Sequence, residues 1–382
     1  MRVIVVANDR AVLMIAASET DANLYYATRF IAPDPFVFME IGGVRILVMS
    51  DLEMDRARHQ SSADKVLSYA EIERRVRAQG TAAPGTVDVV HAVLQDHGIK
   101  QLLVPMNFPF GHAAKLQALG YQLETKREPF YERRAVKSNE EVRHIEEAQR
   151  ATEAAAAAAH DTLRNADIRD GLLWLDGEPL TSERIKKLIN VTLMERDCVA
   201  QHTIVAGGDQ ACDPHDEGSG PLPAHRSIIF DVFPRSARTR YFADMSRTVV
   251  RGTASPELRR LYQTVQDAQE EAITKVRPGA DGTAIHQGIC DRFEASGYRT
   301  GLVNGRMQGY FHGTGHGVGL DIHEHPRISR NGSILQEGEV VTVEPGLYYP
   351  GLGAVRIEDM VLVTRDGCRN LTHYPKTFEL DS

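Results

Sequence analysis

Apolar spacing divides the chain into two kinds of region. Phe36–Ile41 and Val44–Met49 are strand-length apolar runs separated only by Gly42 and Gly43, a pattern that predicts a two-residue β-hairpin. Residues 86–97 carry Val89, Val90, Val93 and Leu94 at helical spacing and stop at Gly98, which predicts a helix. A strand is expected at 101–105. The segment up to residue 135 therefore reads as an α/β domain.

Beyond it the pattern changes. Ser138 and Glu141 form a capping box ahead of an alanine-rich stretch reaching about residue 163, which predicts a long helix. A second helix is expected over about 181–196. A strand at 203–206, a Gly-, Asp- and Pro-rich loop at 207–223, and strand-like runs at 227–233 and 240–246 follow, with a turn at 234–238. Ser255-Pro256 opens another helix, ended near 276 by Pro278-Gly279, and a further one covers about 282–296. Two alternating runs then end in carboxylates, at Glu344 and Glu358. Helix, helix, acidic strands thus occurs twice, which predicts two similar αβ halves closing around one site.

Composition narrows the setting. The chain has 382 residues, 42% of them hydrophobic, enough for one large or two ordinary domains, with a boundary expected near Ala135. Lys and Arg number 44 against 52 Asp and Glu, a net charge of −8. That balance argues against nucleic acid or an anionic membrane as the main partner. Residues 1–7 are apolar, but Asn8-Asp9-Arg10 interrupts them too early for a signal peptide or membrane span. Cys198, Cys212, Cys290 and Cys368 lack C-x-x-C spacing and are sparse for a disulfide framework, so a reduced, cytoplasmic setting is expected.

Candidate chemistry concentrates late in the chain. His312 and His316 stand among alternating glycines in H-G-T-G-H-G-V-G, where a regular helix is disfavoured. The glycines do not fit the phosphate-binding G-x-G-x-x-G spacing, and the helical zinc signature H-E-x-x-H is absent. In Val340–Glu344, Thr342 and Glu344 share the face opposite Val341 and Val343. In Ala354–Glu358, Arg356 and Glu358 lie opposite Val355 and Ile357. Ionised carboxylates in an apolar sheet require a paired charge or a metal. The strand-like runs around Asp231 and Asp244 supply further carboxylates, so a metal site is expected. His59, His91, His97 and His112 are scattered in the N-terminal region and converge with no such set.

In the contexts F-D-V-F, F-A-D-M-S-R-T, H-G-T-G-H-G-V-G, T-V-E-P-G-L-Y and V-R-I-E-D, the residues Asp231, Asp244, His316, Glu344 and Glu358 resemble the ligand set of the metallopeptidase family of prolidase, aminopeptidase P and methionine aminopeptidase. The resemblance covers about residues 136–370. It implies a creatinase-like α/β accessory domain over 1–135 and a pita-bread catalytic domain over 136–382, the latter with pseudo-twofold αβ halves around a curved antiparallel sheet. It also implies two divalent metals per subunit, with Mn²⁺ favoured and Co²⁺, Zn²⁺ or Fe²⁺ as alternatives, and a homodimer. Carried over, Asp231 binds one metal, His316 and Glu344 the other, and Asp244 and Glu358 bridge them. Such ions, about 3.5 to 4 Å apart, share a hydroxide and clamp the tetrahedral intermediate.

By the same resemblance Glu344 shuttles the proton, and His215, His312 and His323 face the substrate carbonyl and the proline. Arg356 orients Glu358 from the same strand face. Arg327, in H-E-H-P-R-I-S, matches the prolidase position that receives a dipeptide's C-terminal carboxylate, a task suited to its bidentate fork. The expected activity is hydrolysis of the Xaa-Pro bond in dipeptides. Aminopeptidase P action on longer peptides, a creatine-hydrolase or lyase relative, and an inactive peptide-binding module are the alternatives. Two features depart from many relatives: Asp231 and Asp244 are 13 apart, two more than usual, and Phe233 replaces a glycine. An even difference preserves the strand face of both ligands.

Overall fold

The computed structural model describes residues 10–380; the apolar 1–7 run lies outside them. The chain divides between Glu132 and Arg133 into two compact units.

The N-terminal unit is a mixed six-stranded sheet. Its strands are β1 (Arg10–Ala16), β2 (Phe36–Ile41), β3 (Val44–Met49), β4 (Lys65–Ser68), β5 (Gln101–Pro105) and β6 (Gln122–Lys126), in the order β4-β3-β2-β1-β5-β6. Strands β1 to β3 pair antiparallel, while β3/β4, β1/β5 and β5/β6 are parallel. Gly42 and Gly43 have φ of 58° and 82°, the two left-handed positions a type I′ hairpin demands. The apolar runs Phe36–Met39 of β2 and Ile46–Met49 of β3 follow from burial on both faces. Val37, Met39, Ile46 and Val48 enter one core, backed by α3 (Tyr69–Ala78) and α4 (Thr86–Asp96). Phe36, Phe38, Leu47 and Met49 enter another, backed by α1 (Ala22–Thr28) and α2 (Met54–Gln60). α5 (Phe110–Ala118) adds Leu116 to the first core.

The second unit consists of two helix-pair-plus-sheet halves. In the first, α6 (Asn139–Arg164) starts at the expected capping box: Glu141 N–H donates to Ser138 Oγ (3.3 Å) and Ser138 N–H to Glu141 Oε2 (2.8 Å). Its alanines at 148, 151, 155, 156 and 159 are buried, so the alanine run serves close packing. α7 (Ser182–Met194) lies against α6 and precedes β7 (Ile204–Gly207), β8 (Ile228–Val232) and β9 (Met245–Arg251), which pair antiparallel.

In the second half, α8 (Pro256–Lys275) and α9 (Gly282–Ala295) pack on a core that includes Val341, Val343, Val355, Ile357 and Val361. The strands are β10 (Gly315–Gly317), β11 (Glu324–Ile328), β12 (Val340–Val343), the hairpin β13 (Gly346–Tyr349) and β14 (Gly353–Arg356), β15 (Asp359–Thr364) and β16 (Gly367–Asn370). They form a β11-β10-β12-β15-β16 sheet plus the β13-β14 hairpin. β17 (Glu379–Leu380) returns to pair parallel with β9.

The two halves are stitched along one seam. Glu358 N–H donates to Ser246 O (3.1 Å), Arg356 N–H to Thr248 Oγ1 (2.9 Å), and Thr248 Oγ1 to Arg356 O (2.9 Å). One antiparallel sheet surface therefore curves from the first half into the second, the expected pita-bread form. No helix among the described residues is long and apolar enough to cross a membrane.

The expectation for 234–246 needs correction. The second acidic strand begins at Met245 instead of 240, and the expected turn contains a short strand, Arg235–Ser236, paired with Cys198–Val199. Arg240 takes a left-handed φ of 71°, and the return is closed by bonds from Phe242 N–H to Gly319 O and Ala243 N–H to Pro234 O. The extra length is thus a pinned excursion. Its even count keeps Asp244 on the Asp231 face, because Asp231 pairs with Ser246, two residues beyond Asp244.

Candidate metal centre

Backbone geometry brings together side chains that lie far apart in the chain. Asp231 projects from β8, Asp244 stands one residue before β9, His316 is central in β10, Glu344 follows β12, and Glu358 occupies the step between β14 and β15. Asp244, His316 and Glu358 each offer a ligand atom within 4.8 Å of the others. His316 Nε2 is 3.3 Å from Glu344 Oε1 and 3.7 Å from Asp244 Oδ2. All five expected ligands line one cavity of about 1060 Å³.

Glycines make this approach possible. A Cβ at Gly315 would lie 1.9 Å from Thr342 O, and one at Gly317 would lie 2.2 Å from His325 O. β10 is therefore squeezed between its neighbours with His316 as its only side chain. His316 N–H donates to Thr342 Oγ1 (3.1 Å), and Glu344 N–H to Thr314 O (2.7 Å).

Two observations fit this set to divalent cations. Asp231 Oδ1, Asp244 Oδ1 and Glu358 Oε1 are buried acceptors that find no hydrogen-bond partner among the described residues, and such groups are strongly disfavoured unless something positive faces them. His316 Nδ1 lies 3.1 Å from Gly317 O, a contact that orients the ring with Nε2 toward the carboxylates, where a cation would take the place of a ring proton. Four carboxylates with one imidazole make a hard donor set.

Burial, reinforced by the other carboxylates, pushes Asp244 and Glu358 well above the ordinary carboxylate range. Asp231 is also raised, mainly by burial, with Arg356 opposing it. Burial also acts upward on Glu344, but the hydrogen bond and charge of His316 outweigh it and hold Glu344 at about 2. The cluster is electrostatically frustrated except where Glu344 meets its cationic neighbours.

Arg356 is placed differently from the expectation. Its Nη2 donates to Asp231 Oδ2 (2.7 Å), and it reaches Glu358 only through Ser246: Arg356 Nε donates to Ser246 Oγ (3.0 Å), which donates to Glu358 Oε2 (2.9 Å). The strand steps into a new pairing between residues 356 and 359, and this separates their side chains.

Tyr348, unremarked in the sequence, links this arginine to a histidine. Arg356 Nη1 donates to Tyr348 Oη (3.0 Å), which lies 2.8 Å from His312 Nε2. His312 Nδ1 meets Gly313 O at 2.8 Å, so both ring nitrogens are already engaged. By contrast, His215 and His323 line the cavity, and among the described residues neither ring makes a hydrogen bond. The His323 ring stands edge-on to His316, with centroids 4.4 Å apart. Burial first, and then His316, lowers His323 to about 4; burial lowers His312 to about 4. Both are neutral at pH 7.

The loop bearing His323 has an anchor that sequence reasoning also missed. Glu324 Oε2 accepts from Arg134 Nη2 (2.8 Å) and Oε1 from Lys137 Nζ (2.6 Å), with both cations buried. The adjacent Arg133-Arg134 pair in the sequence was the available signal. Arg327 also lines the cavity. Among the described residues its guanidinium makes no hydrogen bond or ion pair.

Together these features define a carboxylate-rich divalent-metal centre in a pita-bread fold. Residues 143–365 match the model of metallopeptidase family M24, and the chain belongs to that family. It is 32% identical over 345 residues to an uncharacterized peptidase of Bacillus subtilis, covering 89% of this chain and 84% of that one. It is 30% identical over 280 residues to a Pyrococcus horikoshii protein named Xaa-Pro dipeptidase, covering 72% and 74%. The solved Xaa-Pro dipeptidase from Bacillus anthracis superposes with a TM-score of 0.81 at 21% identity, over 97% of this chain and 94% of that one. Prolidase from Pyrococcus furiosus superposes with a TM-score of 0.77 at 23% identity, over 96% of each. At such identities the superpositions establish the fold.

Proposed function

We propose that this enzyme hydrolyses the Xaa-Pro bond of dipeptides. The observation that carries the dipeptide reading is the unpaired Arg327 guanidinium in the same cavity as the carboxylate cluster. A dipeptide brings a carboxylate within a few atoms of the scissile bond, and a guanidinium fork is its natural acceptor. The kinship with a protein named Xaa-Pro dipeptidase supports the choice of bond.

In this reading Asp231, Asp244, His316, Glu344 and Glu358 hold two divalent ions, with Mn²⁺ suited to so oxygen-rich a set. When bound, the ions polarise the scissile carbonyl and provide a water-derived nucleophile at neutral pH. Glu344, ionised at neutral pH, takes the proton of the attacking water and passes it to the leaving proline nitrogen. That nitrogen carries no hydrogen in the peptide, so the proton must be delivered. His323 and His215 donate ring N–H groups to the developing oxyanion. His312 backs the site through Tyr348 and Arg356, and reaches substrate only by exchanging one of its present bonds. The N-terminal α/β unit is the accessory domain of a homodimer. All four cysteines are free thiols, in keeping with a reducing cytoplasm.

The test is release of the N-terminal residue from Leu-Pro and Leu-Pro-Ala, side by side, after chelation and Mn²⁺ reloading. Preferential cleavage of Leu-Pro is expected. Preference for the tripeptide would reassign the enzyme to aminopeptidase P action, and no cleavage of either would overturn the reading. Arg327→Ala should raise KM for Leu-Pro by about tenfold or more, the worth of one charged hydrogen-bond pair. A smaller effect is expected on Leu-Pro-Ala, and an equal loss on both substrates would count against the carboxylate role.

A further inference from the structure

A buried polar cluster that takes no part in the cavity lining joins α9 to the start of β10. Thr314 Oγ1 lies 2.6 Å from Tyr310 Oη and 2.9 Å from His286 Nδ1, and Tyr310 Oη lies 3.4 Å from the same nitrogen. His286 Nε2 is 3.6 Å from Cys290 Sγ, four residues further along α9. Thr314, Tyr310 and His286 are all buried. Phe293 holds the Tyr310 ring edge to face, with centroids 5.3 Å apart. Burial first, then the charge of Arg330, lowers His286 below its ordinary value, so a neutral imidazole makes these bonds. Polar groups taken this far out of water are tolerated only when they satisfy one another, and a satisfied network fixes its members in place.

Thr314 transmits that fixation to the site through its main chain. Its carbonyl accepts from Glu344 N–H (2.7 Å), and its N–H donates to Ile328 O (2.8 Å). Pro345 follows Glu344 and has no N–H, so the bond to Thr314 is the one main-chain donor available to residues 344–345 as the chain leaves β12. Thr314 itself stands between Gly313 and Gly315, the residue type with the widest conformational freedom. Its hydroxyl is therefore the handle by which α9 holds that carbonyl. The Glu344 carboxylate contacts His316 Nε2 at 3.3 Å and Thr342 Oγ1 at 3.4 Å, two light contacts that leave its aim to the backbone beneath it.

On the reading that makes Glu344 the proton carrier, on which this inference rests, we propose that His286 and Tyr310 are positioning residues for the reaction. By fixing the Thr314 hydroxyl they set the Glu344 main chain, and with it the direction of the carboxylate that moves the proton. Misplacing a reacting group by about 1 Å costs on the order of a hundredfold in rate, so loosening this support should cost a measurable part of that.

The experiment measures kcat and KM on Leu-Pro and Leu-Pro-Ala at saturating Mn²⁺, together with Tm, for wild type and variants. Thr314→Val, which keeps the shape and removes the hydroxyl, should lower kcat about tenfold with KM within about twofold, the signature of support felt in the transition state. Thr314→Ser should recover most of the loss. His286→Leu should lower kcat about fivefold, the worth of one hydrogen bond, and His286→Asn, which keeps a polar atom near the Nδ1 position, should recover part of it. Because the groups act as one unit, Thr314→Val combined with His286→Leu should be no slower than Thr314→Val alone. Tyr310→Phe removes a single oxygen and should lower kcat about threefold; it carries the test if Thr314→Val does not fold. Wild-type kcat in Thr314→Val or Tyr310→Phe, even with a lowered Tm, would overturn the positioning role. So would a Thr314→Ser enzyme as slow as Thr314→Val, or losses that multiply in the double variant. Wild-type enzyme that cleaves neither substrate would remove the hydrolase reading itself, before any variant is compared.

Discussion

Glu358→Gln should cost turnover on the order of a thousandfold or more, the scale set by losing a group that organises transition-state charge, and should lower bound metal per chain. In metal-free protein the same change should be stabilising. Glu358 has one oxygen satisfied by Ser246 and the other buried without a partner. Burial, then Glu344 and Asp231, raises its pKa well above the ordinary value. A carboxylate whose folded-state pKa is raised contributes stability below its unfolded value, near pH 4.5, and loses it as pH climbs toward the folded value. Metal-free wild type should therefore melt below metal-free Glu358→Gln at pH 8, and the gap should close toward pH 5. For a unit of this size each kcal/mol moves Tm by about 2–4 °C. Adding Mn²⁺ should reverse the order, since only the wild type keeps its full donor set. The measurement is a thermal melt with and without metal at both pH values, together with metal analysis. A Glu358→Gln enzyme with native metal content and turnover would sink the assigned site.

Arg247→Met should destabilise the fold by about 3–5 kcal/mol, the usual consequence of stranding a buried charge, a drop of roughly 10 °C in Tm. Arg247 is 1% exposed. Its Nη2 donates to Asp359 Oδ1 (2.9 Å) and Tyr374 O (2.7 Å), its Nη1 to Glu358 O (2.6 Å) and Ser246 O (2.9 Å), and its Nε to Pro375 O (3.1 Å). One side chain thus ties β9, the strand step carrying Glu358, and the C-terminal segment together. Asp359, left in a buried site, would retain Lys376, at 3.2 Å, as its one charged partner among the described residues. Arg247→Met combined with Asp359→Leu should recover part of the loss, because the stranded charge is gone. Arg247→Met should also weaken Mn²⁺ binding, because Glu358 loses its carbonyl anchor. A Tm within about 2 °C of wild type would show that the network is not what holds this seam.

Much of the architecture was legible because it is written locally. The Gly42-Gly43 hairpin, the Ser138 capping box and the Ser255-Pro256 helix start each depend on a few adjacent residues, and the paired runs of helices and acidic strands foretold two halves. The five ligand candidates were legible for a related reason. A carboxylate in an apolar run violates the pattern around it, and four such violations, with His316 among glycines as the fifth member, stand in the order that the family resemblance picks out.

Other features were decided only by tertiary structure, because they depend on which distant backbones meet. Arg356 sits two residues from Glu358 yet bonds Asp231, since the sheet changes partners between 356 and 359. Tyr348 and Arg247 are unexceptional in sequence and become central through contacts more than a hundred residues away or across a hairpin. The 240–244 segment alternates like a strand but makes only one isolated bridge among the described residues, Phe242 to Arg235, and its other main-chain hydrogen bonds go to Pro234, Ser236 and Gly319. Local pattern determined which residues could be chemical, because polarity against an apolar period is a property of neighbours in sequence. Long-range pairing determined which of them touch, because hydrogen-bond register and ionic contacts are properties of neighbours in space.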